Sequence, residues 1–416
     1  MNPIVYAVPV FMATILCEAW LARRRSQKAR DGDAYSLPDA LTSLHFGVVS
    51  QIMLAFTWLF TFGFYLIAFE HLRIITLPRN ELWVWLLALV VYDFCYYWAH
   101  RFGHEINLLW AAHQVHHSSE YFNLTTALRQ TATGAFTAWP FYVLMAVMGI
   151  PPYVFAIVAL IDLLYQYWVH TELVPKLGVL ERILVTPSNH RVHHGQNDYC
   201  IDRNYGGIFI VWDRLFGTFA EERDDEKIVF GIRSPLASYN PLWGNLKGYR
   251  DIWRAATSQG SWRSFWRVWL GPPDQISSYP KHGFSIKEFR HFDAGTSMAS
   301  SHYALLQYAL LIGPATHFIA IGSQLPILDR AGYAAFLLIW VISIGRVLEE
   351  RPHAGAVEAL RMVLSISAFV ALPAWFGWSA SVDIKALAAV YAAASLWLLA
   401  RRNTSVDGQS PDRDRT

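Results

Sequence analysis

Charge is scarce in this sequence. Only 16% of its 416 residues are Asp, Glu, Lys or Arg, against about 25% in an ordinary globular chain. With 54% hydrophobic and 15% aromatic residues, that shortfall argues against a string of water-soluble domains and points to lipid as the solvent. The formal net charge is +2, too small to build a field for nucleic acid. Cysteine is nearly missing: Cys17, Cys95 and Cys200 are isolated and odd in number. They form no CxxC pair and no disulfide framework, so all three read as small buried apolar residues. No internal repeat or low-complexity tract interrupts the chain.

Long apolar runs fill the space that charge leaves. They cover residues 3–21, 44–69, 82–99 and 134–168, the last broken by Pro151-Pro152, then 303–321, 331–344, 357–378 and 384–400. A helical span needs roughly 20 such residues. The first run has no basic flank before it and reads as a retained anchor rather than a signal peptide. Arg23, Arg24, Arg25, Lys28 and Arg30 follow it directly, which sets that end in the cytoplasm. The pieces around Pro151-Pro152 and residues 331–344 are short for a span and also fit a re-entrant or core helix; with a hairpin at Pro151-Pro152 the count is nine crossings. The fold expected is all-α: a polytopic integral membrane protein with a cytoplasmic, histidine-rich helical cap, in a bacterial inner membrane or the endoplasmic reticulum. Its expected parts are N-terminal spans (1–81), a metal domain (82–222), an interfacial segment (223–302), C-terminal spans (303–402) and a polar, disordered tail (403–416).

The chemistry lies in three histidine clusters: His100-Arg-Phe-Gly-His104, His113-Gln-Val-His116-His117 and His190-Arg-Val-His193-His194. On a helix, residues at i, i+3 and i+4 share a face, so each cluster aims its imidazoles at one point. Eight imidazoles exceed what one tetrahedral zinc takes and suit two metal ions with positions left open. Ser188 or Asn189 is placed to cap the third cluster's helix. His170, in Tyr167-Trp-Val-His-Thr-Glu172, ends the preceding apolar run on the same side and joins the ligand set. His45, His71, His282, His291, His302, His317 and His353 have no cluster spacing and read as structural or surface residues. Two carboxylates are candidates for a role at the site. Asp93 lies inside a span, about two turns before His100, where an ionised group needs a partner; a ligand imidazole N–H is the expected one. Glu105 follows His104 directly.

These boxes, in this order and with a span between the second and third, resemble the fatty acid hydroxylase and sterol desaturase superfamily. The likeness is nearest to its alkylglycerol monooxygenase branch and that branch's bacterial members. It rests on residues 93–105, 109–120 and 123–130, on His170-Thr-Glu172, and on Pro187-Ser-Asn-His-Arg-Val-His-His194. Asn204-Tyr-Gly-Gly207 and Trp212-Asp-Arg-Leu-Phe-Gly-Thr-Phe219 complete it. The resemblance implies that the eight box histidines bind two iron ions. It implies oxygen-dependent attack on a lipid C–H bond, and, in this branch, cleavage of an ether lipid to a fatty aldehyde. Tetrahydrobiopterin, a reduced pterin, is the electron donor so implied. No His-Pro-Gly-Gly haem box occurs, so a fused haem donor is not expected. The partners expected are a lipid drawn from the bilayer, O2 and an external donor.

Other readings differ in class. A sterol or fatty acyl hydroxylase or desaturase would use the same scaffold. A metal transporter or metal-binding scaffold would carry its histidines within the spans, whereas these sit just beyond them. Farther along, Trp253, Trp262, Trp266 and Trp269 alternate with Arg250, Arg254, Arg263 and Arg267, the pattern of a helix lying on headgroups.

Overall fold

The computed structural model describes residues 3–29, 34–275 and 283–407; Arg30 and His282 of the sequence reading lie outside them. Its helices are α1 (Ile4–Ala29), α2 (Leu37–Leu54), α3 (Phe64–Leu72), α4 (Leu82–Glu105), α5 (Asn107–His117), α6 (Leu124–Ala127), α7 (Gly134–Val147), α8 (Pro152–Trp168), α9 (Pro187–His194), α10 (Val211–Phe216), α11 (Pro241–Thr257), α12 (Trp262–Leu270), α13 (Met298–Ile321), α14 (Ile327–Leu348), α15 (Ala354–Ala371) and α16 (Val382–Asp407). Among the described residues there is no β-strand, only isolated bridges. The all-α, polytopic expectation holds.

Among the described residues, six helices are long and apolar enough to cross a bilayer: α1, α4 and α13 to α16. The run at residues 44–69, expected as one straight span, is instead α2 and α3 with a 70° bend between them, and counts as a seventh span only if the pair is taken together. The bend falls at residues 55–58, and the second helical piece then opens with a π-helical turn, Leu59–Gly63. Helix α2 also buries Asp39, Thr42, Ser43, His45 and Ser50; a hydropathy count does not see that polar face. The nine expected crossings are further reduced because α7 and α8 have 14 and 17 residues. At about 1.5 Å per residue they fall short of a hydrocarbon core of about 30 Å. They join at residues 148–151, where Gly149 takes φ +84° and a Cβ would stand 2.0 Å from the Ile75 carbonyl oxygen.

The chain divides into two compact units. One comprises Pro9–Leu236 and Trp243–Phe292. Its apolar core runs through Tyr65, Val84, Ala88, Met145, Val154 and Val158, where α4 packs against α7 and α8 and α3 against α7. The other comprises Met1–Val8, Ala237–Leu242 and Asp293–Thr416. There α13, α14, α15 and α16 pack in sequence, with α16 returning to α13. An ion pair between Glu358 and Arg361 is buried inside it, at 2.5 Å. Tyr303 and Ser343 donate to Glu358, and Arg361 donates to Gln307, so the charges are fully partnered, as apolar surroundings demand.

Two smaller expectations are corrected. Cys95 and Cys200 are buried, but Cys17 is exposed on α1, a helix with little protein around it. The tail expected from residue 403 continues α16 as far as Asp407; residues 408–416 lie outside the described residues.

Candidate metal centre

Three helix ends and one turn bring nine histidines together. Helix α4 carries His100 and His104 in its last turns, past the apolar stretch that buries Val84 and Ala88. Ile106 breaks the helix with extended backbone, and α5 starts at Asn107, so His113, His116 and His117 point back toward α4. Helix α9 starts with Pro187 at its first position, and the Thr186 amide donates to Asn189 Oδ1 at 3.1 Å. Thr186 is therefore the capping residue and Asn189 closes the box from the third position; Ser188 takes no part, and its hydroxyl is unpartnered. His170 lies just beyond α8.

The nine rings form two groups able to hold a metal ion, each with its ligand nitrogens within 4.8 Å of one another: His100, His104, His113, His117 and His193, and His116, His170, His190 and His194. In the first, Nε2 of His113 is 3.0 Å from Nε2 of both His100 and His117, and His193 Nε2 is 3.1 Å from that of His117. In the second, His170 Nε2 is 3.2 Å from His116 and 3.0 Å from His190, which is 3.1 Å from His194. Nitrogens about 2.0–2.1 Å from a shared ion, at angles between square and tetrahedral, stand about 3.0–3.4 Å apart. The observed spacings match.

The opposite ring nitrogens fix the tautomers. Nδ1 lies 2.8 Å from the Tyr205 carbonyl oxygen in His100, 2.9 Å from that of Arg203 in His193, 3.2 Å from that of Arg129 in His116 and 2.8 Å from that of Gln166 in His170. A carbonyl only accepts, so each Nδ1 carries the proton and each Nε2 presents a lone pair. His116 and His170 thus face each other with two lone pairs at 3.2 Å. That contact is repulsive unless a cation lies between them, so the residues present fit a metal. Burial, and then the neighbouring imidazoles, hold His113, His117, His190, His193 and His194 well below the ordinary imidazole range. His170 is equally low, and burial takes His116 down to about 4. Neutral imidazole is the form that ligates.

Neither carboxylate singled out from the sequence touches a histidine. Asp93 accepts from the Ile208 amide at 2.6 Å, the Phe209 amide at 3.0 Å and Trp212 Nε1 at 2.8 Å. Its partner is this returning segment, not an imidazole, because the segment's backbone donors reach it first. Asp93 therefore acts one step away: it anchors the stretch whose Tyr205 carbonyl holds His100. Glu105 pairs with Arg101 at 2.9 Å and lines a cavity. The carboxylate nearest a cluster ring is Asp202, 4.0 Å from His104 Nδ1. Sequence reasoning passed over it, although it directly precedes Arg203 and Asn204, and both Asp202 and Asn204 adopt positive φ. Also missed were Asp213, which accepts from the Tyr205 and Gly206 amides at 2.7 and 2.8 Å, and the buried Arg129–Asp39 pair at 3.2 Å, which fixes the carbonyl facing His116. Among the described residues, His45, His71, His291, His302, His317 and His353 join neither group.

Beside the first group is a cavity of about 400 Å³, lined by His104, His117 and His193 and by Glu105, Trp110, Asp202 and Arg233, with Pro272, Pro273 and Asp274 on its outer wall. It is large enough for a small polar reactant beside the imidazoles.

Comparison with known proteins agrees with this geometry. The family described as Fatty acid hydroxylase matches residues 85–218, the stretch that holds all nine histidines. Alkylglycerol monooxygenase of Danio rerio is 39% identical over 368 residues, covering 86% of this chain and 80% of that protein. The Homo sapiens protein of the same name is 37% identical with the same coverage. A bacterial relative, ornithine lipid hydroxylase OlsE of Rhizobium tropici, is 32% identical over 159 residues, 36% of this chain and 46% of that one. No solved structure matches. With its two imidazole groups inside the matched stretch and similarity over most of its length, the chain belongs to the fatty acid hydroxylase family, alongside the alkylglycerol monooxygenases.

Proposed function

We propose that this membrane lipid monooxygenase holds two iron ions, one in each imidazole group, and hydroxylates the carbon beside the ether oxygen of an alkylglycerol. Catalysis is assigned to residues 82–222, with His100, His104, His113, His117 and His193 on one ion and His116, His170, His190 and His194 on the other. The observation that carries this reading is the pairing of two all-imidazole groups, in each of which two rings have their outward nitrogen committed to a carbonyl. The relatives similar over most of the chain are named for ether-lipid substrates.

Bound iron supplies the one-electron chemistry that joins O2 to a C–H bond. The reaction balances as R–CH2–O–R′ plus O2, two electrons and two protons, giving R–CH(OH)–O–R′ and water. The hydroxyl proton then moves to the ether oxygen as its C–O bond breaks, leaving a fatty aldehyde and a glycerol. A C–H bond next to an ether oxygen is weaker than a mid-chain methylene, which favours attack there. The protein's part is to fix the imidazoles through the four carbonyls, keep water from buried rings, and admit the electron donor. A reduced pterin such as tetrahydrobiopterin suits a cavity of about 400 Å³ with polar walls and Trp110.

The cap belongs on the cytoplasmic face. The basic end of α1 supports this: Arg25 donates to the Glu172 carbonyl at 3.5 Å, and Asn123 donates to that of Ala34 at 3.0 Å. Arg23, Arg24 and Arg25 therefore share a side with the histidines, and such clusters stay inside.

The test supplies an alkylglycerol, O2 and tetrahydrobiopterin to the iron-loaded protein and traps aldehyde with a hydrazine, against an oxygen-free control. Aldehyde in proportion to oxygen consumed is expected. A hydroxylated acyl chain or sterol instead would keep the family chemistry and remove the ether-lipid assignment.

A further inference from the structure

Helix α12 carries apolar side chains on two faces, and the fold uses only one. Phe265, Val268 and Trp269 pack with Ala111 of α5 and with Ile252 and Ala256 of α11. The other face presents Trp262, Trp266 and Leu270, spaced i, i+4, i+8 and exposed by 73%, 43% and 58%. Beside them Arg254, Arg263 and Arg267 are exposed, and among the described residues none of the three has an acidic partner. A helix in water does not leave two tryptophans and a leucine in one bare stripe, since burying them is worth far more than any surface pair.

The position of α12 identifies what covers the stripe. Its C-terminal turn is clamped to Asn107, just past the end of α4. The Asn107 amide donates to the Gly271 carbonyl at 2.9 Å, and Nδ2 donates to the carbonyls of Val268 at 2.7 Å and Pro272 at 3.2 Å. Helix α4 is of membrane-crossing length, so its end, and α12 with it, stand at headgroup level. Tryptophan and arginine together are the side chains suited to that layer, and the arginines select anionic lipid. Directly after α12, Pro272, Pro273 and Asp274 form a wall of the cavity that reaches His104, His117 and His193.

We infer that α12 is seated on the bilayer surface through Trp262, Trp266 and Leu270, with Arg254, Arg263 and Arg267 on anionic headgroups, and that this seat holds the outer wall of the metal-side cavity. The lipid bilayer thereby becomes part of the site's architecture on its aqueous side. The inference is independent of the substrate, because it concerns a surface and not a reaction.

The full chain is placed in nanodiscs of phosphatidylcholine, with and without phosphatidylglycerol, carrying a bimane at Trp262→Cys in a cysteine-free background. A headgroup nitroxide lipid should quench the probe more than a mid-chain nitroxide lipid or aqueous iodide does, and more so with phosphatidylglycerol present. Amide exchange over residues 265–275 should slow several-fold in the anionic discs, and the triple variant R254Q/R263Q/R267Q should lose that difference. Strong iodide quenching would mean a solvent-exposed helix and overturn the inference. Protection from every quencher would mean a protein partner and overturn it equally. Exchange unaffected by phosphatidylglycerol would overturn the hold on the cavity wall. None of these readouts needs turnover, so they stand apart from the ether-lipid reaction.

Discussion

At the scale of single residues, the site depends on where nine protons are not. Burial and mutual repulsion hold the cluster imidazoles outside the membrane helices neutral, with His116 at about 4 and His113, His117, His170, His190, His193 and His194 well below their usual range. Their folded values are depressed, so below the ordinary value of about 6.5 the unfolded chain takes up protons that the folded chain does not. The stability these groups contribute is therefore full above that pH and falls as it drops. Thermal melts of the metal-free protein at pH 7.5 and pH 5 should give a lower melting temperature at pH 5; an unchanged value would contradict the depressed titration of these rings. His170→Ala removes one of four nitrogens from the second group only, so iron should fall from about two per chain toward about one, while His291→Ala and His353→Ala leave it unchanged. Asp93→Asn keeps the shape but loses the charge that three donors share, and should lower the melting temperature by an amount equivalent to about 1.5–3 kcal/mol. The histidines were readable in the sequence because helical spacing alone aims them, and His170 because it ends an apolar run on the same side. The partner of Asp93 was not, because two turns of helix say which face it shares but nothing about a segment that returns 115 residues later to Ile208.

At the scale of elements, one glycine joins the carboxylate anchor to the metal centre. A Cβ on Gly207 would stand 2.8 Å from Asp162 Oδ1, 2.8 Å from Asp93 Oδ1 and 2.9 Å from Tyr96. Gly207→Ala should push the segment off Asp93, carry the Tyr205 carbonyl away from His100, and cost about 1–3 kcal/mol of stability. Iron content and melting temperature measured together check it: a wild-type value for both would mean that the contact relaxes without consequence. The long helices α1, α4 and α13 to α16 follow from uninterrupted apolar runs, and α9 from its proline and polar start. The bend between α2 and α3 does not follow, since the run is largely apolar and the break falls in its middle, at residues 55–58, where Thr57 Oγ1 donates back to the Met53 carbonyl at 3.0 Å.

At the scale of the whole molecule, the side on which the cap stands is testable by cysteine labelling with a reagent that cannot cross the membrane. Arg24→Cys and Asp224→Cys, both at exposed positions, should react from the cytoplasm, and Asn80→Cys, exposed before α4, only from the opposite side. Labelling of Asp224→Cys and Asn80→Cys from one face would break the assignment of α4 as a crossing. The short pair α7 and α8 has a different consequence. Phe136, Leu144, Tyr153, Ile161, Leu163 and Leu164 are exposed on it, so lipid must meet these helices, yet each is only about 21–26 Å long. Were the pair to cross as a hairpin, the bilayer would have to pinch around it, while the six long helices ask for its ordinary thickness. Hydrophobic mismatch of this kind costs a fraction of a kcal/mol per Å, and it would bear on the helix whose Gln166 carbonyl holds His170. Lipids with shorter acyl chains relieve it, so the enzyme's working thickness is written into the length of two helices, one of which also holds His170 through the Gln166 carbonyl.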